Sequence, residues 1–367
     1  MAKKIFIAAT MQNDGKTTVS LGLIAALKKH FGRLRFIKPI GQKYLLEQGY
    51  TVDEDSVLIE EVFGVKCSEC TIKDMSPITI EKGFTERYIE NGPAQDYAKL
   101  IKNSYETLAR NADLVIIEGT GHAGVGSVID LSNASVASLL GADVILISSG
   151  GIGKPIDEIM LNKALFDREG VNLAGVIVNK VLPERYDKVA RLVRMGLEKK
   201  GLNVLGVLPY QKILDMPTMC EIREWLNIDR FLTGDDLDLQ IEHVLVGAME
   251  VHAALKFIEN NTMMIIPGDR IDMIQAVCQI HMGKLAKNCR ISGIVLSGGI
   301  MPEADILNLL ADSGIPTLLA KEDTYSVALR VNSLIPKLKS QDIHKIKLII
   351  DIVEKYVDID KVLASLK

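Results

Sequence analysis

Short, nearly continuous apolar runs alternate with longer amphipathic stretches through the first part of the chain. Lys4–Thr10, Leu34–Pro39, Asp113–Glu118, Asp143–Ser148, Leu173–Val178 and Val204–Leu208 read as strands. Lys16–His30 and Ser132–Leu140 read as helices between them. Strands without polar alternation, separated by helices, predict a parallel sheet covered on both faces. The stretch from Gly41 to Pro93 is less regular and richer in charge and glycine. It is expected to form part of a ligand site or an interface.

The pattern changes near Leu214–Pro217. Helices follow with few strands, and then a second α/β series begins. Its expected elements are strands at Met263–Ile266, Ile294–Leu296 and Thr317–Ala320, with helices at Ile271–Met282 and Glu303–Asp312. In the last segment Ile343, Ile346, Ile350, Val353 and Val357 recur at helical spacing, which predicts one apolar face. There are too few heptads for a coiled coil, so this helix is expected to dock on the chain's own body. The domain reading is 1–211, 212–335 and a helical tail at 336–367. No internal repeat or low-complexity stretch is seen.

The chain has 367 residues, with 43 Lys and Arg against 47 Asp and Glu, a formal charge of −4. That balance argues against nonspecific nucleic-acid binding, which needs a net basic face. It leaves room for a small basic pocket. At 48% hydrophobic residues the chain can bury a core, which argues against disorder. No run approaches the ~20 apolar residues of a membrane span. The apolar run near the start is too short for a signal peptide and reads as the first strand. Five cysteines do not make a disulfide framework, and a reducing cytoplasm is the simplest setting. Cys67 and Cys70 form a lone C-x-x-C and are expected to be ordinary thiols. His122 and His281 have no partners at ligand spacing.

The strongest chemical signal is Thr10-Met-Gln-Asn13-Asp14-Gly15-Lys16-Thr17-Thr18, between a predicted strand and a predicted helix. Gly15 would let backbone approach a phosphate. The amides and dipole of the helix start would favour the anion. Lys16 would reach the β/γ-phosphates and Thr17 would ligate Mg²⁺. Thr10 stands where the strict P-loop pattern has its first glycine. Glu118 ends an apolar strand and precedes Gly119-Thr120-Gly121, a place suited to hold Mg²⁺; the alternative is an exposed strand-end acid. Asp53-Glu54-Asp55 would supply a second metal carboxylate. An acidic turn at a helix start explains it almost as well. Lys38 would point toward the same sheet edge, or be a solvated lysine. Asn179 would read a purine edge, or form a turn. Asp269 would cap the helix at Ile271 or, with Arg270, bind a polar ligand. Ser297-Gly298-Gly299 is an anion nest or a tight turn.

Together these positions resemble the dethiobiotin synthetase-like P-loop family, in which Thr also replaces the first glycine. Thr10, Gly15, Lys16 and Thr17 match its loop, and Asn13, Asp14 and Thr18, beside them, are expected to contact the bound nucleotide. Lys38-Pro39 is similar to its substrate- and phosphate-binding Lys-Pro. Asp55 and Glu118 fall at its metal carboxylates, Asn179 at its base-binding asparagine, and Gly206-Val-Leu-Pro209 at its closing strand. The second region resembles the DRTGG domain at Pro267-Gly268-Asp269-Arg270, Leu296-Ser297-Gly298-Gly299 and Asp323-Thr324-Tyr325. This pairing looks like the N-terminal half of long phosphate acetyltransferases, without their acetyltransferase domain.

The resemblance implies a P-loop NTPase-type α/β sheet with helices on both faces, a smaller α/β DRTGG domain and a helical tail. It also implies ATP and Mg²⁺ as cofactors, and a homodimer. Met11, Gln12, Asn13 and Gln42 depart from the synthetase pattern and speak against diaminopelargonate carboxylation. One expectation is an ATP-dependent ligase or kinase acting on a small carboxylate or carbamate, with Lys16 and Lys38 as catalytic cations. The other is a non-catalytic, nucleotide-sensing regulatory module. No membrane or nucleic-acid partner is expected.

Overall fold

The computed structural model describes residues 2–229, 231–234, 236–285 and 289–366. Two compact units divide the chain, one of Met1–Tyr210 with Leu338–Lys367 and one of Gln211–Lys337.

The first unit is built on β1 (Lys3–Ala9), α1 (Lys16–Leu27), β2 (Leu34–Ile37), α2 (Glu54–Phe63), β3 (Leu114–Glu118), α3 (Asn133–Leu140), β4 (Val144–Ser149), α4 (Gly153–Arg168), β5 (Leu173–Val181), α5 (Tyr186–Glu198) and β6 (Val204–Pro209). Its sheet runs β6-β5-β4-β1-β3-β2, all parallel. Every residue of β3 is buried, as expected of a central strand without polar alternation. Ile7 of β1 is level with Glu118 of β3, and Ala9 is level with Ile147 of β4. The C-terminal ends of these three strands therefore share one edge, where α/β sheets place ligands. The irregular stretch beyond β2 forms a hairpin (Tyr44–Glu47 with Tyr50–Asp53), α2 and further short elements.

The second unit contains α6 (Met219–Leu226), β7 (Phe231–Thr233), β8 (His243–Val246), β9 (Thr262–Pro267), α7 (Ile271–His281), β10 (Ile291–Ser297), α8 (Ala304–Ser313), β11 (Thr317–Leu319) and α9 (Thr324–Ser333). Its sheet order is β7-β11-β10-β9-β8, with only β7 antiparallel. The strands β7 and β8 fall in a stretch expected to be mainly helical. Both are short and lie at the edges, so they carry little continuous apolar signal.

The closing helices, α10 (Ile343–Tyr356) and α11 (Ile359–Ser365), belong to the first unit. Ile346, Ile349, Ile352 and Val353 form the buried face of α10. Ile343, the first residue of α10, does not join it and is 70% exposed. Val357 bridges Gly206, and the Asp358 N–H donates to the Leu205 carbonyl. At the α1–α10 contact a Cβ on Gly22 would lie 2.3 Å from Val353 Cγ2. Gly22→Ala is therefore expected to lose about 1–3 kcal/mol by overpacking, despite alanine's helix-propensity advantage of roughly 1 kcal/mol. Urea midpoints in a double-mutant cycle check this. Val353→Ala should remove most of the penalty, and a stabilising Gly22→Ala would contradict the close approach.

One cysteine expectation fails. Cys67 and Cys70 are joined as a disulfide, with Cα atoms 5.1 Å apart, because the turn between α2 and the short helix Ile72–Met75 brings their side chains together. Cys278 and Cys289 are buried and outside any disulfide. Among the described residues no helix is long and apolar enough to cross a membrane.

Candidate functional site

The loop between β1 and α1 is held by its own side chains. Asp14 is buried and accepts the Met11 N–H at 2.7 Å, the Thr10 hydroxyl at 2.8 Å and the Ser149 hydroxyl. Its carboxylate therefore braces the loop from inside. Asn179, within β5 and alongside Ser149, donates its amide to the Asp14 carbonyl at 2.9 Å. Asn162 on α4 donates to the Thr10 carbonyl at 3.2 Å. Gly15 lies in the left-handed region at φ 91° and forms the N-cap of α1. A Cβ there would come within 2.3 Å of Asn179 Nδ2, so glycine is demanded both by the backbone and by the packing. Asn13 also has positive φ, 68°. The loop is thus shaped before any ligand arrives, with the first amides of α1 unpaired within the helix.

Lys38, just past β2, is not a solvated lysine. Its side chain is 9% exposed, and its ammonium lies 2.9 Å from Asp53 Oδ1, in contact with Asp55 Oδ2 and 3.7 Å from Glu118 Oε1. Its N–H donates to the Met75 carbonyl at 2.8 Å. Asp53 is the N-cap of α2, accepting the Asp55 N–H at 3.0 Å, and its own N–H goes to Ser76 Oγ at 2.8 Å. The acidic stretch is therefore both a helix cap and part of the charged cluster. Gly41 permits this: a Cβ there would meet Asp53 Cβ at 2.5 Å. Glu118 is fully buried rather than an exposed strand end. Its Oε1 accepts the Thr17 hydroxyl at 3.2 Å, and its Oε2 has no hydrogen-bond partner.

Thr17, Lys38, Asp55 and Glu118 thus meet at one sheet edge, with Lys16 in their field. Burial opposes the charge on Lys38, but Asp55, Glu118 and Asp53 outweigh it and hold the ammonium protonated well above the usual lysine range. Burial also opposes ionisation of Asp55. Lys38, the Thr17 hydroxyl and Lys16 overcome it, so Asp55 stays below the usual carboxylate range. Glu118 goes the other way. Burial and the neighbouring Asp55 push it up to about 7, against the pull of Lys38. Burial lowers Lys16, with Glu118 acting against the shift and Lys38 with it.

The sign for stability follows. A carboxyl raised in the folded state from 4.5 to about 7 opposes folding increasingly as pH rises through that window. Glu118→Gln is expected to gain stability over the wild type on going from about pH 5 to about pH 8, by up to roughly 3 kcal/mol at 1.36 kcal/mol per unit, less the weaker hold on Lys38. Melting curves at the two pH values check it; a difference that does not change with pH would contradict the burial argument.

Among the described residues no three His, Cys, Asp or Glu side chains stand ready around an open metal position. The donor set nevertheless suits a hard cation. It consists of carboxylate and hydroxyl oxygens, and Glu118 Oε2 is a buried acceptor lacking a partner. Residues not picked out from the chain also shape the edge. Asn133 accepts the Thr120 N–H at 3.1 Å and donates to the carbonyls of Thr120 and His122, both at 2.7 Å, holding the turn after Glu118. An asparagine at a helix start was its only local signal. Thr18 follows in α1, half-buried.

In the second unit the expected cap fails. Arg270, not Asp269, is the N-cap residue of α7, and no side chain caps it. The Arg270 guanidinium pairs with Asp272 at 2.9 Å and donates to the carbonyls of Gly247 and Met249. The N–H groups of Gly298 and Gly299 donate to the carbonyls of Glu322 and Ala320. Ser297-Gly298-Gly299 is accordingly a tight turn.

Comparison with known sequences bears on the whole chain. The family described as an AAA domain (AAA_26) matches residues 3–218. The chain belongs to that family. A second family, the DRTGG domain, matches residues 221–334 of this AAA_26 protein. Phosphate acetyltransferase of Synechocystis sp. is 27% identical over 100% of this chain and 52% of its own length. That of Nitratidesulfovibrio vulgaris is 25% identical over 98% and 51%. This AAA_26 chain spans about half the length of the curated relatives it matches. Among solved structures, a plasmid partition protein from Borrelia burgdorferi bound to AMPPNP is 15% identical, covering 58% of this chain and 89% of that one, with TM-score 0.39. The CBS and DRTGG domains of Clostridium perfringens pyrophosphatase, complexed with diadenosine tetraphosphate, are 14% identical over 48% and 86%, with TM-score 0.29.

Proposed function

We propose that the AAA_26 unit binds ATP with Mg²⁺ at the β1–α1 loop and acts as a nucleotide-sensing regulatory module. The observation carrying this is the preformed loop. Gly15 is left-handed at the helix start, and Asp14 and Asn179 are turned inward to brace the backbone, so the amides of α1 face the edge where Lys16 and Thr17 emerge. Lys16 would face the β/γ-phosphates. Thr17, Asp55 and Glu118, with Asp53 beside them, are the residues that would hold Mg²⁺. Bound there, the ion would neutralise phosphate charge. In this reading Asn179 braces the loop, since its amide nitrogen is already committed to Asp14.

In the nucleotide-free chain the Lys38 ammonium is committed to buried carboxylates and is not presented to a substrate, which favours sensing over turnover. Calorimetric titration with ATP, with and without Mg²⁺, tests it alongside phosphate release. Saturable Mg²⁺-dependent binding with release at background is expected; no binding heat from a folded protein would overturn it.

A second reading, ATP-dependent activation of a small carboxylate or carbamate, is favoured by one observation. A cavity of about 530 Å³ is lined by Tyr50, Lys73, Thr79, Phe84 and Tyr97, within the irregular stretch and its neighbouring helix. Its volume suits a small molecule, and Lys73 offers a cation. Phosphate release stimulated by such an acid and lost in Lys16→Ala would support turnover over sensing. The homodimer belongs to the same proposal and is checked by sedimentation.

A further inference from the structure

Three carboxyl groups converge beside the phosphate loop, and among the described residues the only cation in direct contact with them is the ammonium of Lys38. Asp53 is 1% exposed and Glu118 is fully buried, so neither relies on water for charge compensation. One ammonium against three carboxyl groups in a low-dielectric pocket leaves charge that a proton or a second cation must offset. The deficit is visible at one atom: Glu118 Oε2 is buried and accepts no hydrogen bond. The other oxygen of the same carboxylate takes Thr17, in the first turn of α1. An ammonium donates to oxygen acceptors along separate directions and brings one charge. A divalent cation brings two and gathers carboxylate oxygens into its own shell. The same oxygens suit either occupant, but not both at once.

We infer that Lys38 is a built-in substitute for the metal ion: its ammonium and a divalent cation are alternative occupants of the Asp53–Asp55–Glu118 cluster, so the nucleotide-free protein excludes the free ion. The inference rests on the reading that the cluster is the cation site of the nucleotide complex. Its consequence is discrimination. Free Mg²⁺ must displace a buried ion pair unaided, whereas a cation arriving with a triphosphate brings phosphate oxygens that complete its shell and attract the released ammonium. Metal binding and nucleotide binding thereby become coupled, as reciprocal linkage requires.

The test uses the full chain and Mn²⁺ as the probe, with free ion measured by electron paramagnetic resonance. Without nucleotide, Lys38→Met is expected to bind Mn²⁺ at least about tenfold more tightly than the wild type, equivalent to ~1.4 kcal/mol. Lys38→Arg, which keeps a cation on the cluster, should stay close to the wild type. Equal Mn²⁺ affinity in Lys38→Met and wild type overturns the inference. Should Lys38→Met be unfolded in metal-free buffer, millimolar Mn²⁺ is expected to restore its far-ultraviolet circular dichroism, and failure to restore it also overturns the inference. Titrating the wild type with ATP and Mn²⁺ separates the two levels. Normal binding there with an unchanged Lys38→Met sinks the lysine inference alone; no binding sinks the nucleotide reading and this inference with it.

Discussion

In metal-free buffer near neutral pH, Lys38→Met is expected to lose about 3–5 kcal/mol of stability, read as a lowered urea midpoint with an unchanged slope. The size comes from what the substitution leaves behind. Asp53, at 1% exposure, loses a partner at 2.9 Å, and Asp55 loses its direct contact. Asp53 cannot be rehydrated without opening the hairpin and the start of α2, whereas Asp55, at 20% side-chain exposure, keeps some access to water. Removing one member of a buried ion pair is far more damaging than replacing the whole set with apolar groups, since the remaining charges stay desolvated. The pH dependence gives a second handle. In the wild type Asp55 is held low, so its stabilising share is present above the unfolded carboxylate range and fades as pH falls through its folded value. Without Lys38 that carboxyl is expected to rise instead, so the deficit of Lys38→Met should shrink on acidification. Lys38→Met combined with Asp55→Asn should recover part of the loss. A single variant as stable as the wild type at neutral pH would mean that the cluster contributes nothing to the fold.

Lys16→Ala tests the other half of the edge, with a different signature. ATP with Mg²⁺ at a hundred times its dissociation constant should stabilise the wild type by about 2.7 kcal/mol. The variant should lose nearly all of that gain. Its stability without nucleotide is expected to remain within about 1 kcal/mol of the wild type, because burial already disfavours the Lys16 ammonium and no carboxylate is paired with it as closely as those of Lys38. The two lysines thus separate, with Lys38 needed for the empty fold and Lys16 for the nucleotide. An ATP-dependent melting shift in Lys16→Ala equal to that of the wild type would refute the loop assignment.

Much of this geometry was legible along the chain, but unevenly. The six sheet strands and the β1–loop–α1 unit were readable because each depends on neighbours a few residues away: apolar runs, a glycine, a helix start. Lys38 and Glu118 were picked out from their places at strand ends, and Asp55 from the acidic turn by the family resemblance. Their convergence was not visible, nor was Asp53 as the most deeply buried of the aspartates in that turn, because an N-cap role explained it locally and is also real. Asp14 and Asn179 read as ligand contacts, since nothing in the sequence shows that each faces the loop's own backbone. Ile343 fitted the helical repeat yet stays exposed, as periodicity marks a face without saying how far the partner surface extends.

By itself, then, the sequence determined the alternation of elements, the strand–loop–helix unit at Gly15-Lys16-Thr17 and the second α/β series, all set by short-range sterics and hydrophobic period. Only tertiary structure decided that the last helices return to α1 and β6, that Cys67 meets Cys70, and that one ammonium sits among three carboxylates. The reason is physical: desolvated charges and close-packed side chains take their energies from neighbours in space, and those neighbours are supplied by distant parts of the chain.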